Sequence, residues 1–182
     1  MSRQDIERWE ARYRQRTPVD LQPDPWLVRH ASSIPPGTAL DVACGLGQNA
    51  IWLAQQGHRV VAVDGSYTAL RHGYARARAE GLGHRLLFVQ ADLEHFGLRP
   101  HTFDLIVVMR FLLRPLVSEL ITALRPGGHL LYATYTVHRL RRHPHFNPDY
   151  LLAPGELREL FTDLEVLFYE EEGEWARLVA RK

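Results

Sequence analysis

The sequence predicts an α/β protein: a doubly wound, mostly parallel sheet of seven strands, one of them antiparallel. Three observations carry that prediction. Short apolar runs alternate with segments of helical period along most of the chain, the pattern of parallel strands joined by helical crossovers. One stretch, Ala39-Leu40-Asp41-Val42-Ala43-Cys44-Gly45-Leu46-Gly47-Gln48-Asn49-Ala50, passes from an apolar strand through a glycine-rich turn into a helix. The chain then closes on two strand-like segments, 165–169 and 175–180, around Glu171-Glu172-Gly173, a hairpin that supplies the antiparallel strand.

Taken in order, residues 2–14 predict a helix, with Ser2 and Asp5 as a capping box in which Asp replaces Glu or Gln. Ile6, Trp9 and Tyr13 share one helical stripe. Either that stripe packs on the sheet or its edge, or Trp9 and Tyr13 form part of a lid over a site. The prolines between 17 and 25 exclude regular helix, and Pro25 suits the first turn of a helix over 26–32. Ile34-Pro35-Pro36-Gly37 turns into a first strand over 38–43, and a helix over 48–56 stops at Gly57. After a second strand over 59–63, Ser66 caps a helix that runs to Glu80 and ends at Gly81. Its Arg71, His72, Arg76 and Arg78 read as a solvated face, because no aromatics interleave with them.

A third strand spans 85–89 and a short crossover spans 92–102. The fourth strand, 103–109, is nearly all apolar and therefore buried on both faces. Pro115 opens a helix to Leu124, and Arg125-Pro126-Gly127-Gly128 turns into a fifth strand over 129–134. Residues 136–149, basic and histidine-rich, read as a loop, and a helix from Pro154-Gly155-Glu156 to Phe161 precedes the hairpin. The expectation is one domain over 1–182, with 1–35 as a helical cap region.

At 182 residues the chain is long enough for a full core. Its net charge of +1 gives no overall attraction to nucleic acid or to an anionic membrane. No apolar run approaches the roughly 18 residues of a membrane helix. The charged start has no signal-peptide core behind it, so the expected location is the cytoplasm. The single cysteine, Cys44, excludes an intrachain disulfide and a multi-cysteine zinc site. It reads as a small buried apolar residue, since no histidine stands close to it in sequence. His138, His143 and His145 match no standard zinc spacing, so no metal is expected.

Gly45 and Gly47 omit Cβ atoms where a ligand would meet the backbone. The helix after Gly47 points unpaired N–H groups at the same turn. Asp41 stands four residues before Gly45, Asp64 ends the second strand and Asp92 follows the third. Three acids thus gather at the carboxyl ends of three successive strands, where open α/β sheets bind ligands, and an acid in the place of Asp64 can accept both hydroxyls of a ribose. Gly45-Leu-Gly47-Gln-Asn-Ala50 also fits the Gly-x-Gly-x-x-Ala dinucleotide fingerprint, so an NAD-binding protein is a rival. Against it stand the longer turn begun at Asp41, the Pro126-Gly127-Gly128 before the fifth strand, and a terminal hairpin that leaves no room for a catalytic domain.

Asp41-Val-Ala-Cys-Gly45-Leu-Gly47, then Asp64, then Asp92, resembles the cofactor site of class I S-adenosylmethionine-dependent methyltransferases. Leu124-Arg-Pro-Gly-Gly128 is similar to the turn before their fifth strand. The resemblance implies a Rossmann-like sheet in the order 3-2-1-4-5-7-6, with S-adenosyl-L-methionine as cofactor. The glycine turn would pass the methionine part, Asp64 would hold the ribose and Asp92 would face the adenine amino group. The implied cofactor-binding set is Asp41, Ala43, Gly45, Gly47, Asn49, Asp64, Gly65, Ser66, Asp92 and Leu93. Trp9-x-x-x-Tyr13 and Asn147-Pro-x-Tyr-Leu-Leu-x-Pro-Gly-Glu156-Leu further resemble the tellurite-resistance and thiopurine-methyltransferase-like branch. Members of that branch methylate small thiols or oxyanions of selenium and tellurium. The sequence departs from the expected pattern at Ala133, where an acid would stand.

With a methyl group already activated on the cofactor, the protein must hold donor and acceptor in line, about 3 Å apart, and exclude water. A soft nucleophile ionised near neutral pH needs no general base, whereas an alcohol or amide does. The exit of the fourth strand, Met109-Arg110-Phe111-Leu112-Leu113-Arg114-Pro115, lacks the Asn/Asp-Pro-Pro-Tyr/Phe signature of enzymes that methylate nucleobase or amide nitrogen. Arg110 offers a planar fork for an oxyanion or carboxylate, or it pairs with Asp92 or holds the cofactor's own carboxylate. Arg110 and Tyr13 are the residues assigned to the reaction. The expected activity is methyl transfer to a small nucleophilic acceptor, with no membrane or nucleic-acid partner. The alternatives are a methyltransferase acting on RNA or protein, and a non-catalytic cofactor binder.

Overall fold

The computed structural model describes residues 3–15 and 21–182. Its strands are β1 (Thr38–Val42), β2 (Arg59–Asp64), β3 (Leu86–Gln90), β4 (Phe103–Met109), β5 (Leu124–Tyr135), β6 (Glu165–Glu172) and β7 (Trp175–Arg181). They form one sheet in the order β3-β2-β1-β4-β5-β7-β6, the order expected above. β7 runs antiparallel to both of its neighbours and is the one reversed strand. The chain clusters into two compact units, divided between Gly97 and Leu98.

The first unit holds β1 to β3 with α1 (Arg3–Gln15), α2 (Pro25–Ala31), α3 (Gln48–Gln55) and α4 (Tyr67–Ala79). β2 pairs in parallel with β1, Leu40 opposite Val61, and with β3, Val63 opposite Val89. Leu40, Ile51, Leu53, Ala62 and Val63 are buried, as are Ala69, Leu70 and Ala77 of α4. Each fully buried Leu, Ile or Val side chain among them contributes about 1.5–3 kcal/mol of transfer free energy. The Asp24 side chain caps α2 at the Trp26 N–H, and Pro25 takes the first helical position, where a missing N–H costs nothing. Ser66 caps α4 at the Ala69 N–H.

α1 does not bury the expected apolar stripe against the sheet. It packs on α4, Trp9 stays 36% exposed, and the buried residue of the helix is Asp5. The reason is polar: Glu10 reaches the start of α4, as described below. Ser2, the first half of the expected capping box, lies outside the described residues.

The second unit holds β4 to β7 with α5 (Val117–Ala123) and α6 (Glu156–Leu160). Ile106, Val107 and Val108 of β4 are fully buried, as the apolar run required. The expected turn Arg125-Pro126-Gly127-Gly128 lies inside β5 as an irregularity: Phe103 faces Leu124, and then Leu105 faces His129. Gly127 adopts φ +79° there. A Cβ on Gly128 would stand 2.9 Å from the Arg125 carbonyl oxygen and 3.0 Å from that of Phe103. Gly127 and Gly128 supply the backbone freedom and the space that the extra residues of this irregularity need.

The expected loop over 136–149 contains two 3-10 turns, Val137–Arg141 and Pro148–Tyr150, started by the side chains of Thr136 and Asn147. Arg114 then ties this region down. Its guanidinium pairs with Glu156 and donates to the Asp149 and Leu151 carbonyls.

Candidate functional site

β1 delivers Asp41 to the interior, where it is 1% exposed. The backbone then reverses through three left-handed residues, Ala43 (φ 54°), Gly45 (φ 54°) and Gly47 (φ 71°), before α3 begins. A left-handed alanine is uncommon and is tolerated only where its surroundings fix it. Here the Cys44 N–H donates to the Val63 carbonyl and the Gly47 N–H to that of Cys44. Cys44 is buried, and burial pushes its thiol up, which suits a packing residue better than a nucleophile.

Asp64 closes the turn from below. One carboxylate oxygen accepts the Gly45 N–H at 2.8 Å and the other the Ser66 N–H at 2.8 Å. Burial raises the Asp64 pKa, and the amides of Ser66, Gly45 and Gly65 oppose the rise. Asp41 is pushed up to about 8, by burial first and then by the charge of Asp64, against one hydrogen bond from the Ala50 N–H. Its Oδ2 is buried and has no hydrogen-bond partner among the described residues. Two buried acids beside one turn, one of them with an orphaned oxygen, favour a cation or hydrogen-bond donor in that place.

The two glycines of the turn are required for different reasons. A Cβ on Gly45 would stand 2.7 Å from the Tyr13 hydroxyl, so α1 lays Tyr13 over the turn. A Cβ on Gly47 would stand 2.6 Å from the Phe88 ring, and one on Gly73 would meet both Phe88 and the Leu46 carbonyl. Gly47 therefore makes room for a β3 side chain, a demand its motif does not announce.

Glu10 locks α1 in place. It accepts the hydroxyls of Ser66 and Thr68 at 2.6 Å each and the Thr68 N–H at 3.1 Å. Burial alone would raise its pKa, but these bonds and one from Arg14 outweigh it and hold the carboxyl at about 2. Glu10 and Phe88 are the residues the sequence reading missed. Both act across long sequence separations, with no local signal.

The remaining expected cofactor residues divide. Ser66 is buried, and its hydroxyl is committed to Glu10 and to the Ala69 N–H. Asn49 is buried and accepts the Asp24 N–H at 2.9 Å, which ties α2 to α3. The Gly65 carbonyl accepts from Gln90 at 3.2 Å. Asp92 is held at the end of β3 by the Glu94 N–H and the His95 ring, and these bonds, the Glu94 amide first, lower its pKa. Leu93 beside it is buried.

In the second unit Arg110 follows β4 in a left-handed conformation, φ 59°, with its N–H donating to the Ala133 carbonyl at 2.7 Å. Its guanidinium lies 5.8 Å from the Trp175 ring centre. Trp175 packs against Tyr135 at 4.3 Å with the rings tilted by 45°, and Arg139 lies 3.6 Å from the Tyr135 ring centre and 5.0 Å from that of Phe146. Cation–aromatic packing of this kind was not legible, because its members come from the end of β4, from β5, from β7 and from the segment between β5 and α6.

Residues 39–128 match a family described as a methyltransferase domain. The chain is 35% identical over 104 residues to a methyltransferase, GfsG, of Streptomyces halstedii, covering 54% of this chain and 37% of the relative. It is 30% identical over 115 residues to a ubiquinone biosynthesis O-methyltransferase of Vibrio cholerae, covering 60% of this chain and 46% of the relative. The chain thus spans less than half the length of these curated relatives. In fold it matches TehB from Haemophilus influenzae with a TM-score of 0.77 at 20% identity, over 87% of this chain and 62% of the other. With the strand order and the glycine turn, these matches make the chain a member of the class I S-adenosylmethionine-dependent methyltransferases.

Proposed function

We propose that the chain transfers the methyl group of S-adenosylmethionine to a small acceptor that arrives ionised or readily ionisable. The observation that carries this reading is the buried pair Asp41 and Asp64 at the glycine turn, with Asp41 Oδ2 unpartnered. A cofactor bearing an ammonium and a sulfonium relieves that arrangement. The anionic pyrophosphate of a dinucleotide aggravates it. When bound, the cofactor supplies an electrophilic methyl group.

The chain's own residues would bind, orient and exclude water. Asp41, Ala43, Gly45, Gly47 and Asn49 would line the methionine part, Asp64 with Gly65 and Ser66 the ribose, and Asp92 with Leu93 the adenine. Each Asp64 oxygen keeps a lone pair beyond its amide bond, so it can still accept a ribose hydroxyl. Tyr13 would keep water from the turn. Arg110 would present its fork to an oxyanion or carboxylate of the acceptor, which needs no general base if it is already nucleophilic. The branch motifs around Tyr13 and Asn147 support a thiol or an oxyanion of selenium or tellurium. Incubation with methyl-labelled cofactor and a panel of thiols, selenite, tellurite and RNA tests this. Label should enter a small acceptor. Label entering RNA alone overturns the reading.

A further inference from the structure

The second unit contains a cleft of about 440 Å³ between the turn Val137–Arg141 and the β6–β7 hairpin. Trp175 forms part of its wall, and Arg141 and Arg142 stand at it. Two of the charged groups that line it are already engaged: Arg177 with Glu170, and Glu174 with Arg139. Arg141 and Arg142 form no ion pair among the described residues, and Glu172 is the one lining acid left to face them. The cleft therefore keeps a positive balance.

Trp175 is held from several sides. Tyr135 packs against it with the rings tilted by 45°, Arg177 and Arg110 lie 5.3 and 5.8 Å from its ring centre, and its backbone pairs with Tyr135 and with Glu172 in the sheet. A rigid aromatic wall beside two unpaired guanidinium groups suits a ligand with a flat ring and an acidic substituent. The ring stacks, and the acid takes the charge-assisted hydrogen bonds. The volume falls in the range of small-molecule sites and exceeds what an inorganic oxyanion would fill.

We propose that this cleft binds planar aromatic carboxylates. The test titrates the full-length protein with benzoate, benzyl alcohol and cyclohexanecarboxylate by calorimetry and tryptophan fluorescence. Benzoate should bind. Benzyl alcohol, lacking the charge, should bind at least about tenfold more weakly, and cyclohexanecarboxylate, lacking the flat ring, about three- to tenfold more weakly.

The double variant Arg141→Gln/Arg142→Gln removes two exposed side chains and should leave the thermal midpoint unchanged while weakening benzoate at least about tenfold. Trp175→Leu should weaken benzoate and erase its preference over cyclohexanecarboxylate. No saturable benzoate binding in protein that still binds S-adenosylmethionine overturns the proposal, as does equal binding by the double variant. Failure of methyl transfer to every acceptor, with benzoate binding intact, instead refutes the methyltransferase reading and leaves the cleft.

Discussion

Asp41 shows why single residues of the turn carry different consequences. Its folded pKa of about 8 lies above the ordinary 3.8, so the folded chain holds this proton more tightly than the unfolded one. The stabilising contribution is complete below about pH 4 and is lost as pH rises towards 8, at up to about 1.4 kcal/mol per pH unit. The thermal midpoint of the ligand-free protein should fall across that window, and Asp41→Asn should flatten the fall. An unchanged slope in the variant would assign the pH dependence elsewhere. Binding of a cationic cofactor should also expel the proton, which calorimetry in buffers of different ionisation enthalpy would register. Asp64 acts differently, because its oxygens already hold the Gly45 and Ser66 amides. Asp64→Ala should weaken cofactor binding about ten- to a hundredfold, and it should also cost roughly 1–3 kcal/mol of stability by orphaning buried N–H groups. The sequence motif alone suggests only the first effect. It marks which acids stand at the strand ends, while the amides they capture depend on how the turn folds.

At the scale of elements, the strands were legible because apolar runs of this length have few other uses. Helices α3 and α4 announced their ends through Gly57, Ser66 and Gly81. What was not legible is what α1 does. Its apolar stripe suggests burial, yet the helix is fixed by Glu10, whose partners lie 56 and 58 residues away. Glu10 is held at about 2, below the ordinary 4.5, so its contribution is present above pH 4.5 and lost as pH falls towards 2. Glu10→Ala should cost about 1 kcal/mol, allowing for partial solvent screening of the site. Its diagnostic sign is local: amide hydrogen exchange should accelerate along α1 and leave β1 and β2 unchanged. Uniform acceleration across the first unit would mean that Glu10 supports the whole unit rather than the docking of one helix. Since α1 carries Tyr13 over Gly45, the same variant loosens the cover of the turn. The irregularity in β5 was hidden for a related reason. Arg125-Pro126-Gly127-Gly128 reads as a turn, and only the register against β4 shows that the strand continues through it.

At the scale of the molecule, the residues assigned to the cofactor all lie in the first unit, while Arg110 and the aromatic stack around Trp175 lie in the second. The cofactor elements come close together in sequence, within 41–93, and are stamped by glycines and acids; that is why they were readable. The elements of the second unit are assembled from residues 110 to 177 by strand pairing, so their chemistry emerges only with the fold. The division gives a test that separates the two nucleotide readings without any acceptor. A ligand that binds only the folded state at a hundred times its dissociation constant stabilises it by about 2.7 kcal/mol. For a chain of this length that raises the thermal midpoint by about 5–11 °C. S-adenosylmethionine and its demethylated product should both produce such a shift, because each carries the ammonium and ribose that Asp41 and Asp64 suit. The sulfonium form should shift it more at pH 8 than at pH 6, as ionised Asp41 becomes the favoured partner. NAD at the same concentration should shift it little, since its pyrophosphate would approach two buried acids. A larger shift with NAD, or one that shrinks as pH rises for S-adenosylmethionine, would show that the orphaned Asp41 oxygen does not face the cofactor's charge.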